Sequence, residues 1–113
     1  MGTQAADRTT RIRELNDAFR RNFVGGRIML TAGVEALPSD VKAMVIRQVA
    51  TFDAFENDND PHREHDFGAF DIAGRRLFWK IDYYDRGCRY GSEDPSDPEQ
   101  TTRVLTIMLA EEY

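Results

Sequence analysis

Ala73-Gly74 joins two runs that read as strands, His65 to Ile72 and Arg75 to Tyr84, and this junction constrains the fold more than any other feature of the chain. A two-residue connection forces the runs into an antiparallel hairpin, and the two-residue period of a strand then decides which side chains share a face. Ile72 faces Arg75, Phe70 faces Leu77, Gly68 faces Trp79 and Asp66 faces Ile81. This face gathers Phe70, Ile72, Leu77, Trp79 and Ile81 and is expected to meet the core. Gly68 opposite Trp79 leaves room for an indole to lie across the strand. The other face pairs Asp71 with Arg76, Ala69 with Phe78, Phe67 with Lys80 and His65 with Asp82. Asp66 is turned toward the core, where an ionised carboxylate needs partners.

The remaining segments supply cover for the apolar face. Ile12, Leu15, Phe19 and Phe23 recur at helical spacing, which predicts a helix over 10–23 that ends at Gly25-Gly26. Arg27 to Thr31 reads as a strand. Pro38-Ser39-Asp40 opens a second helix with Ser39 as its cap, and Val41, Met44, Val45, Gln48, Val49 and Phe52 form its stripe. Asp97-Pro98-Glu99-Gln100 is a helix start signal, so Val104, Leu105, Met108 and Leu109 are read as a third helical stripe, with a strand as the competing assignment. Cys88 to Tyr90 adds a brief optional strand. The expected architecture is an α+β domain, two to three helices on a small antiparallel sheet, in the order α-β-α-β-β-(β)-α. Residues 1–9 are read as a flexible tail and 10–113 as a single domain.

Charge and composition narrow the function. The chain has 113 residues, enough for one core. A net charge of −5 argues against direct nucleic-acid binding and suits a protein partner with a basic surface. The charge is uneven: Arg8, Arg11, Arg13, Arg20, Arg21 and Arg27 crowd the beginning, whereas Asp53, Glu56, Asp58, Asp60, Glu64 and Asp66 crowd the middle. Cys88 is the sole cysteine, so no internal disulfide forms and a cytoplasmic setting is expected. No apolar run reaches transmembrane length, and the N-terminus lacks the apolar segment of a signal peptide.

Ligand-type side chains concentrate between Asn59 and Asp85. Asp60, Glu64 and His65 are the residues here that could hold a divalent metal, but their spacing matches no established site, and no cofactor is expected. His65 opposite Asp82 is the sharper pair. A carboxylate beside an imidazole fixes its tautomer, as a general base requires, while a cross-strand polar pair with no catalytic task looks the same. Lys80 and Tyr84 lie on the same expected face. His65, Lys80, Asp82, Tyr84, Asp60 and Glu64 are therefore the candidate binding residues, with His65 and Asp82 the candidate catalytic ones. No nucleophile or oxyanion motif accompanies them.

His65-Asp66-Phe67-Gly68, followed by Trp79-Lys80-Ile81-Asp82-Tyr83-Tyr84-Asp85, resembles the bacterial domain-of-unknown-function family 3768. Asn59-Asp60-Pro61, Glu64, Leu15-Asn16-Asp17, Thr31-Ala32-Gly33-Val34 and the ending Arg103 to Tyr113 fit the same resemblance, which covers about residue 11 to the C-terminus. It implies a short bacterial protein of a kind met on plasmids and other mobile elements, and it implies no activity. The leading expectation is a non-enzymatic accessory or regulatory binding protein, one form of which is an inhibitor of a host defence complex whose acidic loops stand in for phosphates. The alternative is a small hydrolase or nuclease built on His65 and Asp82, metal-assisted or not. A homodimer joined through Phe67 and Phe78 is a third expectation.

Overall fold

The structure is a computed structural model that describes residues 3–113, with side chains from residue 7 onward. The first helix, α1, runs Thr3–Asn22, so its first turns occupy residues that the sequence assigned to a tail; Met1 and Gly2 lie outside the described residues. Its buried face is Ile12, Asn16, Phe19 and Arg20, with Leu15 and Phe23 half-buried. The helix closes as Phe23 enters the left-handed region at φ 60° and donates its N–H to Phe19 O at 2.6 Å.

Strand β1 (Gly26–Leu30), a one-turn helix α2 (Ala32–Glu35) and helix α3 (Ser39–Thr51) follow. A side chain at Gly26 would collide with Arg103 O and the Phe19 ring, so β1 can approach its neighbour and α1 only because this position is bare. Pro38 rather than Ser39 occupies the cap of α3, and no side chain caps it. The expected stripe is narrower than its pattern: Val45 and Val49 are buried, whereas Met44 and Gln48 face solvent.

Strands β2 (Phe67–Ile72) and β3 (Arg75–Tyr84) form the expected hairpin, with Gly68↔Trp79, Phe70↔Leu77 and Phe67↔Lys80 in register. Ala73 and Gly74 both have positive φ, 53° and 75°, as a two-residue turn matched to strand twist demands. The fourth strand corrects the sequence reading. Val104 to Leu109 is no helix but part of β4 (Thr102–Leu109), which sits between β1 and β3 in the order β1-β4-β3-β2. The start signal at Asp97 is real yet closes only one turn: Asp97 Oδ1 accepts from Glu99 N at 2.9 Å and Asp97 O from Gln100 N at 3.1 Å. Beyond it, burial between two neighbouring strands overrides the local signal. A 3-10 turn (Ala110–Glu112) ends the chain. Cys88 to Tyr90 forms no strand either, and only Gly91 makes an isolated bridge to Tyr84.

The result is an α+β domain with a four-stranded sheet that is mixed rather than wholly antiparallel, because β1 runs parallel to β4. Phe19, Val34, Val45 and Val49 from the helices meet Phe70, Leu77, Trp79, Ile81, Leu105, Ile107 and Leu109 on one sheet face. The opposite face carries Phe67, Phe78, Lys80, Asp82, Tyr84, Val104 and Thr106, all part-exposed, and Met108, which is buried beside Phe78, and no helix packs there among the described residues.

Candidate functional site

The segment from Phe52 to Asp66 connects α3 to β2, and α1 holds it in place. Its anchor is His65. Positive φ at Arg63 and His65 (59° and 55°) turns the chain out of the strand, so the ladder stops at Phe67↔Lys80 and the expected His65–Asp82 pair does not form. The imidazole instead reaches α1, where Nδ1 lies 2.9 Å from Asp17 Oδ1 and 3.1 Å from Oδ2. An ionised carboxylate only accepts, so the Nδ1–H is the donor. Nε2 faces Asp60 Oδ2 at 3.5 Å, while Asp60 Oδ1 accepts the His65 backbone N–H at 3.1 Å. One ring face stacks on Phe55, with centroids 3.7 Å apart and planes 4° from parallel.

Behind this anchor lies Arg20. Its guanidinium donates to Val49 O and Phe52 O at 2.8 Å each and to Asp17 Oδ1 at 3.1 Å, holding the last carbonyls of α3 against α1. It lies over the Trp79 and Phe55 rings at 4.8 and 5.3 Å. Burial lowers its pKa, the Asp17 hydrogen bond opposes that shift, and the group remains a cation. Arg20 Nε and Trp79 Nε1 are buried without hydrogen-bond partners among the described residues.

A second polar cluster joins α1, β3 and β4. Asn16 Nδ2 donates to Glu64 O at 3.0 Å and Tyr83 Oη at 2.8 Å, and Asn16 Oδ1 accepts from Arg103 Nε at 2.7 Å. Tyr83 donates to Glu64 Oε1 at 2.8 Å, and Arg103 also donates to Pro95 O. Burial pushes the Tyr83 phenol well above its usual range, so it stays a neutral donor.

The remaining candidates lie elsewhere. Lys80 and Asp82 pair with each other at 2.8 Å on the outer sheet face, and that hydrogen bond raises the Lys80 pKa. Tyr84 shares their face. Of Asp60, Glu64 and His65, the first and last face each other while the Glu64 carboxylate turns to Tyr83, and among the described residues no three His, Cys, Asp or Glu side chains are grouped to hold a metal. Asp66 is half-buried, and desolvation followed by the Glu64 charge raises its carboxyl above the usual range.

Two open clefts flank the His65–Phe55 stack, which forms a wall of both. One, of about 400 Å³, is lined by Asp17, Arg20, Arg21, Phe52, Asp53 and neighbouring backbone. The other, of about 210 Å³, is lined by Arg13, Glu56, Asn57, Asp60 and Arg63. On the outer sheet face Phe67, Phe78 and Tyr113 form an aromatic group with centroid separations of 5.3 to 6.2 Å.

The residues that sequence reasoning assigned no role are Asn16, Asp17, Arg20, Phe55, Tyr83 and Arg103. A signal existed for two of them. Asn16 and Arg20 follow Ile12 at steps of four, on the face that also carries Phe19. Polar residues on a buried helical face require internal partners.

These features define a small α+β domain with a pinned polar loop on one side of its sheet and an aromatic patch on the other. The chain belongs to the family described as Protein of unknown function (DUF3768), whose model matches residues 30–112. No curated protein and no solved structure matches it. No helix among the described residues is long and apolar enough to cross a membrane.

Proposed function

We propose that this chain is a non-enzymatic binding protein, a bacterial accessory or regulatory factor of mobile-element origin that works in the cytoplasm on a protein partner. One observation carries the reading: the family segment divides by chemistry. Its ligand-type groups, Asp60, Glu64, His65 and Tyr83, are engaged with α1 and with one another. Its aromatic groups, Phe67 and Phe78, stand on the sheet face that no helix covers among the described residues, beside Lys80, Asp82 and Tyr84. Aromatic centres ringed by charged groups are the composition of protein-recognition hot spots. Asp53, Glu56 and Asp58 are exposed at the end of α3 and suit a basic partner, including a nucleic-acid-binding defence complex whose phosphate contacts they would imitate.

The test is partner capture from a bacterial host lysate on the immobilised chain, comparing wild type with Phe78→Ala and Lys80→Glu. Both variants are expected to fold and to lose the partner; unchanged capture by both would remove the outer face from the function. The hydrolase alternative retains one supporting observation, the Asp17–His65 pair on the wall of the larger cleft. Turnover of phosphodiester or ester substrates between about pH 5 and pH 9 that is abolished by His65→Ala would establish it in place of the binding reading.

A further inference from the structure

Strand β1 is an edge of the sheet, paired on one side only, with β4. Thr31 donates its N–H to Ile107 O at 3.1 Å, and in a parallel ladder the residues that bond to the neighbour alternate. The N–H and C=O of Arg27 and Met29 therefore point to β4, and those of Ile28 and Leu30 point away from it. Among the described residues no hydrogen bond outside the β4 ladder reaches Ile28 or Leu30, and Gly26, Arg27, Ile28 and Met29 are exposed, with Ile28 at 38%, Met29 at 54% and Val24 just before them at 72%. Exposed apolar edges of this kind pair with further strands unless charge, proline or a bulge prevents it, and β1 contains no proline and a single charge, Arg27.

That charge indicates what pairs here. Arg27 shares a cleft of about 350 Å³ with Arg86, Gly25, Gly26, Thr101 and Thr102 at the start of β1 and β4. Among the described residues neither arginine has a carboxylate partner, and Arg86 makes a single hydrogen bond, to Pro98 O at 3.4 Å. In a chain of net charge −5, these two arginines are the charged residues that line this cleft. A second copy pairing in two-fold fashion about Ile28 would set its own Arg27 on the same face, diagonal to this one, so like charges oppose self-pairing.

We infer that β1 docks an extended acidic segment of a protein partner as a fifth strand, with carboxylates on the Arg27 side and apolar side chains on the Ile28 side. The inference rests on the binding reading above and supplies the chemistry of the partner segment. Main-chain bonds to Ile28 and Leu30 give the attachment, and Arg27 with Arg86 sets the preference for acid.

The test uses the full chain and a blocked heptapeptide of alternating valine and glutamate, followed by fluorescence anisotropy and residue-resolved amide hydrogen exchange. The expected result is saturable binding that protects the Ile28 and Leu30 amides. Binding is expected to be roughly tenfold or more weaker for the valine–lysine peptide and for the Arg27→Glu chain, whose exposed side chain leaves folding intact. No binding, binding without protection at these amides, or binding indifferent to charge would overturn the inference. So would protection of both amides in the peptide-free chain together with a dimeric mass, because a second copy then covers the edge. If wild type and Arg27→Glu capture the same partner through Phe78, strand addition fails while the binding reading stands. If the chain captures no protein at all, the binding reading fails independently of the peptide result.

Discussion

Asp17 and His65 lie 48 residues apart in sequence and 2.9 Å apart in space, and their hydrogen bond ties the loop before β2 to the C-terminal half of α1. Asp17 also accepts from Arg20, which holds the last carbonyls of α3, and His65 also faces Asp60. Both side chains are largely enclosed.

Removing either partner leaves polar atoms with reduced satisfaction in a partly buried place. His65→Ala and Asp17→Asn are each expected to lower stability by about 1.5–3 kcal/mol, the range for a hydrogen bond to a charged group. Because the residues touch, the double variant is expected to lose less than the sum. Chemical denaturation of the four chains measures the difference, and additive losses would show that the contact carries no coupling.

Gly68 is fixed by Trp79. A side chain there would fall onto the indole Nε1, with Phe52 close on the other side. Gly68→Ala is expected to cost roughly 1–3 kcal/mol by overpacking. Trp79→Leu in the Gly68→Ala background is expected to cost less than Trp79→Leu alone, since the methyl then occupies part of the vacated space. Equal costs in the two backgrounds would separate the residues energetically.

Asp66 sets an unusual pH response. Desolvation raises its folded-state pKa above the unfolded value, so the folded chain holds this proton more tightly. The contribution of Asp66 to stability therefore improves as pH falls through the folded pKa and worsens as pH rises through it. Asp66→Asn is expected to raise the melting temperature at neutral pH, with the gain fading toward the acid range. A gain that is constant with pH would assign the effect to something other than ionisation.

Glu112 behaves in the opposite sense. Its carboxylate accepts from Thr31 Oγ1 at 2.6 Å, from Gly33 N at 2.9 Å and from Leu109 N at 2.9 Å, and the Thr31 hydrogen bond leads the depression of its pKa. A depressed acid stabilises above its unfolded pKa, and that stabilisation disappears as pH falls through the folded value. Amide exchange at Gly33 and Leu109 is expected to quicken in Glu112→Gln at neutral pH and to match wild type in acid. Identical exchange in the two chains at neutral pH would detach the C-terminal turn from α2.

The hairpin was legible because two constraints agreed: a two-residue turn and an apolar face that only one register produces. Helices α1 and α3 were legible from their stripes. The strand at Val104 to Leu109 was not, because Asp97-Pro98 is a valid turn start and the apolar run after it fits either period. Its placement between β1 and β3 is a long-range fact. The His65–Asp82 pair failed for a local reason, since two left-handed residues, Arg63 and His65, end the strand early. Nothing in the residue types at those positions announces that conformation. The true partner, Asp17, sits on a helix whose angle to the hairpin no sequence period encodes.

The proposed division between a structural polar loop and a recognising sheet face is tested most directly by measuring captured partner per folded molecule for His65→Ala and Phe78→Ala, at a temperature where both chains are folded. His65→Ala is expected to capture as wild type does, and Phe78→Ala to capture little. The reverse outcome, with capture lost on removing His65 and kept on removing Phe78, would contradict the division and place the functional surface at the Asp17–His65 clefts.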